Sequence, residues 1–237
     1  MHADILPDLA AHVRDRTTNI VWAQWAALGS GAVSKRAPTS SVDPEALVLA
    51  SLWLVGHEAQ LETFLAWWAE RGSGLLSVQR MRNLAGWYPA EVGPRLREFA
   101  AYAQSTGDAR WKAVSGKAAK SVPGEGGADP RLDGAAATML RLRLGLGVGI
   151  KADLVAALLG SERWWTVREL SSSTAYTDRA VRRAAEELAR GGWVAASPAT
   201  PAEYRARPER WLGLLGLEAP AAWRDWARLY ALVLAVD

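Results

Sequence analysis

The sequence predicts a mainly α protein in two domains. An all-helical amino-terminal domain precedes one made of short helices, a small two-stranded β-hairpin and a carboxy-terminal helix. Three observations carry this expectation. Apolar residues recur at helical spacing through much of residues 1–115. The stretch SGKAAKSVPGEGGADPRL at 115–132 then loses that period and fills with Gly, Pro, Lys and Ala, as a linker does. Beyond it, two short helix patterns and a Gly-Gly stop precede two β-capable segments. The expected division is a helical domain over 1–115, a linker over 116–132 and a second domain over 133–237, with both domains in the usual size range.

The chain has 237 residues, half of them hydrophobic, which is enough for one large core or two small ones. It has no cysteine, so disulfides and thiolate metal sites are excluded, and the three histidines, His2, His12 and His57, are too scattered to suggest a site. The start, MHADILPDLAAHVRDR, lacks the basic, then continuously apolar, pattern of a secretory signal. No apolar run approaches membrane-spanning length. A cytoplasmic protein with no membrane partner is the expectation.

Net charge is +3 and unevenly spread. Residues 1–115 hold 11 basic and 11 acidic side chains, whereas 116–237 hold 17 and 14. A local excess in the second half points to an anionic partner. Arginine supplies 23 of the 28 basic residues, which suits phosphate and base-edge recognition and equally fits a GC-rich coding bias.

In the first domain, VDPEALVLASLWLVG carries a full helix start: Asp43 as N-cap, Pro44 at the first helical position and Glu45 in the first turn. Leu47, Leu49, Trp53 and Leu54 follow as a buried stripe. AQLETFLAWWAERG repeats the pattern with Leu61, Phe64, Leu65 and Trp68 and stops at Gly72. A third helix begins after Ser77 and a fourth after Pro94. The second domain opens with a connecting helix in GAAATMLRLRLGLGVG, then IKADLVAALLG with Ile150, Leu154, Val155, Leu158 and Leu159 on one face.

Thr166 followed by Glu169 is a capping box, and SSSTAY keeps the helix it opens short. Thr177 caps the next helix, Asp178 lies in its first turn and Gly191-Gly192 stops it. WVAAS and YRARPERW then read as two short strands around the turn-rich PATPAE, with Arg205 and Arg207 on one face. Helix, helix, turn, helix, hairpin is the order of a winged helix-turn-helix.

Residues 150–212, and TVRELSSSTAYTDRAVRRAAEELARGGWV above all, resemble the winged helix-turn-helix DNA-binding domains of bacterial transcription regulators, broadly MarR- or ArsR-like. The resemblance implies a supporting helix at 167–172, a recognition helix at 178–190 lying in the major groove, and a wing at about 194–207. It also implies double-stranded DNA as partner and a role in transcription regulation. The loop SPATPAE has no cation at its tip, so phosphate contact from the wing falls to Arg205 or Arg207. Residues 1–115 resemble no family; sensing, oligomerisation or partner binding is the role left to them.

The residues support this independently. On a helix from 178, Val181, Ala184, Ala185 and Leu188 fall on one side, and Arg179, Arg182, Arg183 and Glu186 on the other. Arginine is the side chain best shaped for bidentate contact with guanine or phosphate. The expected DNA-binding set is Arg179, Arg182 and Arg183 in the groove, Tyr176 and Thr177 near phosphates at the turn, Arg168 on the supporting helix, and Arg205 and Arg207 in the wing. The alternatives are a solvated face on which Arg182 and Arg183 pair with Glu186 and Glu187, and a winged helix that docks a protein partner as an adaptor.

Thirteen tryptophans suggest stacking platforms for single-stranded nucleic acid at Trp67-Trp68 and Trp164-Trp165. Neighbours on a helix point about 100° apart, so at most one ring of each pair is expected in the core; packing is the preferred use. PAAWRDWARLYALVLAVD predicts a helix opened by Pro220 with Trp223, Trp226, Tyr230 and Val233 in a stripe. That helix either mediates a homodimer, as the amino-terminal domain could, or docks on its own chain.

No enzyme is expected. HEAQL lacks the second histidine of a zinc-protease helix, and GLGVG and GEGG lack the spacing of phosphate-cradling loops. Glu62 and Glu70 lie on ordinary helix faces, and no serine sits in a nucleophile elbow. Neither cofactor nor metal is implied.

Overall fold

The computed structural model describes residues 5–115 and 128–235, with side chains from residue 9. It is mainly helical, with one small antiparallel sheet. The chain divides into two compact units, one from 1–37, 43–130 and 226–237, the other from 38–42 and 131–225. Most of the expected linker, 116–127, lies outside the described residues.

The first unit holds α1 (Ile5–Ala27), α2 (Pro44–Leu54), α3 (Leu61–Arg71), α4 (Val78–Ala85), α5 (Val92–Ser105) and α6 (Lys112–Ser115). Its centre is α2, buried on every side along 44–52, as a helix apolar all round must be. The Asp43 cap forms as expected and accepts the Ala46 N–H at 3.1 Å. Asp43 and Glu45 are themselves fully buried, which no apolar stripe explains. Arg80 of α4 answers both: its Nη1 and Nη2 reach Asp43 at 2.6 and 2.5 Å, and Nη1 reaches Glu45 at 2.7 Å. The other Glu45 oxygen accepts the Ser77 N–H at 2.6 Å.

Trp67 and Trp68 are both buried, contrary to the expectation of one ring per pair. Trp68 packs edge-on against Trp25 of α1, and Trp67 turns its indole N–H onto the Ala128 carbonyl at 2.8 Å. Neither is available as a stacking platform.

The last helix, α12 (Trp226–Leu234), belongs to this unit, not to the second domain. Trp226, Ala227, Tyr230 and Leu234 face inward, and Tyr230 donates to Gln24 of α1 at 3.0 Å. Of the two uses expected of this helix, docking on its own chain is the one present, with Leu234 in place of the expected Val233 on the inner side. The helix starts six residues later than Pro220 suggests, because the preceding residues are tied into the second unit by other bonds. There Trp223 donates its backbone N–H to Gly160 at 2.8 Å and its indole N–H to Ser173 at 2.8 Å. A Cβ at Gly160 would come within 2.3 Å of the Trp223 nitrogen, so only glycine admits this approach.

The second unit runs α7 (Thr138–Leu146), α8 (Ile150–Leu159), β1 (Trp165–Thr166), α9 (Val167–Thr174), α10 (Asp178–Arg190), β2 (Val194–Ala196), β3 (Glu203–Ala206) and α11 (Pro208–Leu215). The expected connecting helix is instead a core element, with Met139, Leu140 and Leu142 buried. The sheet has three strands in the order β1-β3-β2, not two, because Trp165 pairs with Tyr204 across the long gap in sequence. The second predicted strand ends at Ala206; Pro208 at a first helical position turns the remainder into α11. Around α8, buried along 152–159, pack α7, α9, α10 and β3.

The Asp43, Glu45 and Arg80 group gives a direct test of the first unit. Arg80→Ala leaves two buried carboxylates without their cation and is expected to cost about 3–5 kcal/mol in urea unfolding. A loss under 1 kcal/mol would mean that the group is solvated.

Candidate nucleic-acid interface

The local chemistry of α9 and α10 forms as the sequence predicts. Thr166 Oγ1 accepts the Glu169 N–H at 3.2 Å while Glu169 accepts the Thr166 N–H at 2.8 Å, closing the capping box. Arg163 lies 3.8 Å over the Trp165 ring and holds the other Glu169 oxygen at 2.5 Å. The Thr166 amide first, and Arg163 second, hold the Glu169 carboxyl below its ordinary value of 4.5. The supporting helix runs two residues beyond the expected 167–172, to Thr174, where Ala175 at φ 58° makes the left-handed turn. A non-glycine residue there costs on the order of 1 kcal/mol, so the turn is held by its surroundings.

Those surroundings are specific. Asp153 of α8 is fully buried, and Arg143 of α7 meets it with two hydrogen bonds, Nε to Oδ1 at 2.8 Å and Nη2 to Oδ2 at 2.9 Å. Tyr176, in the turn, donates its hydroxyl to the same Oδ2 at 2.8 Å. Ser171 Oγ donates to the Asp178 carboxylate, tying the end of α9 to the first turn of α10. The turn is thereby fixed to the central helix and to its partner helix.

The two faces of α10 separate cleanly. Val181, Ala184, Ala185 and Leu188 are buried. The alanines admit close packing against α8 and α9, and burial of Val181 and Leu188 contributes roughly 1.5–3 kcal/mol each. Gly192 at φ 74° ends the helix, and the Trp193 N–H returns to the Leu188 carbonyl at 2.9 Å, closing a Schellman-type stop. Arg179, Arg182, Arg183 and Arg190 are exposed on the outer face.

Arg168, Thr177, Arg179, Arg182, Arg183, Arg205 and Arg207 are all exposed in the second unit. Thr177 Oγ1 accepts the Ala180 N–H at 3.3 Å, which leaves its hydroxyl proton available to donate outward. Among the described residues, no ion pair or hydrogen bond engages the guanidinium groups of Arg168, Arg179, Arg182, Arg205 or Arg207. Arg205 lies on β3, paired with Ala195, and Arg207 is the residue before α11 instead of a strand residue.

Tyr176 stands apart from this set. It is half-buried and its hydroxyl is turned inward on Asp153, so its place is under the surface, fixing the turn. The sequence reading missed Asp153 and Arg143; opposite charges ten residues apart in two largely apolar helices were the available signal. It also missed Lys151 of α8, which meets Glu187 of α10 at 2.9 Å. Of the foreseen intrahelical pairs, Arg183 to Glu187 forms at 3.2 Å, and Lys151 with Arg183 holds the Glu187 carboxyl below its ordinary value. Glu186 lies toward the sheet: burial, then its charge, raise the Tyr204 phenol above its ordinary value, with Arg182 opposing.

No group of His, Asp or Glu among the described residues could hold a metal ion, and no helix among them is long and apolar enough to cross a membrane. Comparison with family models, curated proteins and solved structures gave no match.

The Glu169 geometry predicts a pH signature. A carboxyl held below its ordinary value stabilises the fold fully above that value and loses its contribution as pH falls through the depressed one. The stability gap between native protein and Glu169→Gln, read from urea midpoints, should be constant near neutrality and close as pH falls below 4.5. A gap independent of pH would contradict the box.

Proposed function

We propose that the protein is a DNA-binding transcription regulator of winged helix-turn-helix type, with α10 lying in the major groove of double-stranded DNA. The observation that carries the reading is the outer face of α10. Arg179 and Arg182, which have no protein partner among the described residues, project there beside Arg183 from a helix whose inner face and preceding turn are both fixed. Cations left unpaired on a rigid helix suit an anionic, grooved partner, whereas a merely solvated face tends to satisfy itself with intrahelical pairs. The order α8, β1, α9, α10, β2, β3 also supports it, since this places a hairpin beside the carboxy-terminal end of the candidate recognition helix.

Roles follow from geometry. Arg179 and Arg182, exposed and unpaired among the described residues, suit phosphates. Thr177 can donate its hydroxyl to a phosphate oxygen at the turn. Arg168 and Arg205 would add backbone contacts on either side, with Arg207 beyond the strand. Asp178 is turned onto Ser171 and Thr177 fills the cap, so anion binding falls to the side chains and not to the α10 terminus. The first unit is assigned sensing, oligomerisation or partner binding, and a cytoplasmic location accompanies the role.

Binding to random duplex DNA at rising salt tests the proposal. The native protein should bind at low salt, with affinity falling linearly on logarithmic axes. Arg179→Ala plus Arg182→Ala should reduce that slope by about 1.8, at roughly 0.9 for each phosphate contact. No binding by the native protein at low salt, or an unchanged slope in the double variant, would refute it and favour a protein-docking surface.

A further inference from the structure

The three central arginines of α10 are chemically alike but not equivalently held. Arg183 is 83% exposed, yet its Nε is bonded to Glu187 Oε1 at 3.2 Å. Glu187 is not an isolated surface acid: its second oxygen is held at 2.9 Å by Lys151, which comes from another helix, α8. Arg183 is therefore the end of a three-residue relay anchored outside α10. Arg179 and Arg182 have no such support among the described residues.

We infer that Arg183 is the base-reading residue of the interface and recognises guanine, with Glu187 and Lys151 as positioning residues, while Arg179 and Arg182 supply sequence-neutral phosphate contacts. The inference rests on the DNA-binding reading above and assigns its specificity. A guanidinium can meet the O6 and N7 of guanine end-on through its two Nη groups or side-on through Nε and one Nη. With Nε on Glu187, the end-on pair is the one presented. Holding the guanidinium plane before contact reduces the rotamer entropy lost on binding, and among the base edges of the major groove a bidentate donor pair meets two acceptors only at guanine. Lys151 has a second effect. By neutralising Glu187 it lets a carboxylate stand beside the groove as a brace without adding net repulsion toward phosphates.

The relay makes a prediction that separates a brace from a repelling charge. If Glu187 only repelled DNA, Glu187→Ala would raise affinity for all sequences and leave base preference intact. As a brace, its loss raises or preserves affinity for random duplex but weakens discrimination.

Selection from a duplex library with a randomised central segment, followed by affinities for the selected site and for the same site with each guanine replaced, reads this directly. Arg182 and Arg183 are exposed and Glu187 is partly exposed, and melting temperatures confirm that each variant is folded. The native protein should prefer guanine at one or more positions by roughly 5- to 100-fold. Arg183→Ala and the charge-preserving Arg183→Lys should both abolish that preference, Glu187→Ala should reduce it without loss of random-duplex affinity, and Arg182→Ala should lower affinity uniformly with preference unchanged. A Arg183→Ala variant that selects the same site as the native protein overturns the assignment, and undiminished preference in Glu187→Ala overturns the brace. Native protein that binds random duplex without any guanine preference refutes this inference alone. Native protein that binds no DNA refutes the reading beneath it and this inference together.

Discussion

The arrangement of the second unit depends on the buried pair between Arg143 and Asp153. A helix enclosed on every side satisfies its own backbone internally, but an acid in its first turn has no water to turn to. The amino-terminal end of α8 favours negative charge, which gives Asp153 a reason to be there, and burial makes a cation obligatory. Arg143 meets both oxygens in the fork geometry that only arginine offers. The remaining acceptor capacity of Oδ2 takes the Tyr176 hydroxyl, so the turn before α10 is latched to the centre of the core. The first unit repeats the device with Asp43, Glu45 and Arg80 at the start of its own enclosed helix, α2.

From that latch the outer surface follows. Ala175 is held in a left-handed conformation, Ser171 ties Asp178, and the alanine face of α10 seats against α8 and α9. Rotation of α10 about its axis is then fixed by packing, and the arginines point outward because Val181, Ala184, Ala185 and Leu188 take the inner side. The charges on that face are graded by their partners. Arg183 is braced, Arg182 lies toward the Glu186 side near β3, and Arg179 stands free of partners near the turn. A surface of this kind combines one braced arginine with others left unpaired, which is what the proposed division between base reading and phosphate contact requires.

Much of this was legible in the sequence because it is local. The Asp43, Ser77, Thr166 and Thr177 caps, the Gly-Gly stop and the buried side of α10 all rest on residues within one turn of each other, and each forms as read. What escaped is non-local. Strand β1 exists only because two residues find β3 some forty positions on, and α12 leaves its neighbours in sequence for α1 and α2. The inward turn of Tyr176 depends on an acid 23 residues earlier. Trp67 joins Trp68 in the core because its indole finds a carbonyl near residue 128, which no helical period encodes. Helix α11 was missed despite a local signal, Pro208, outweighed by the β-capable residues before it.

The central claim is that one fixed face of one helix meets DNA, and backbone amide NMR of the labelled full-length protein during titration with a short duplex tests it most directly. The account predicts shift changes concentrated at 177–183, at Arg168 and along β3, with the helices of the first unit undisturbed. Changes centred on the first unit, or spread evenly with α10 silent, would contradict it.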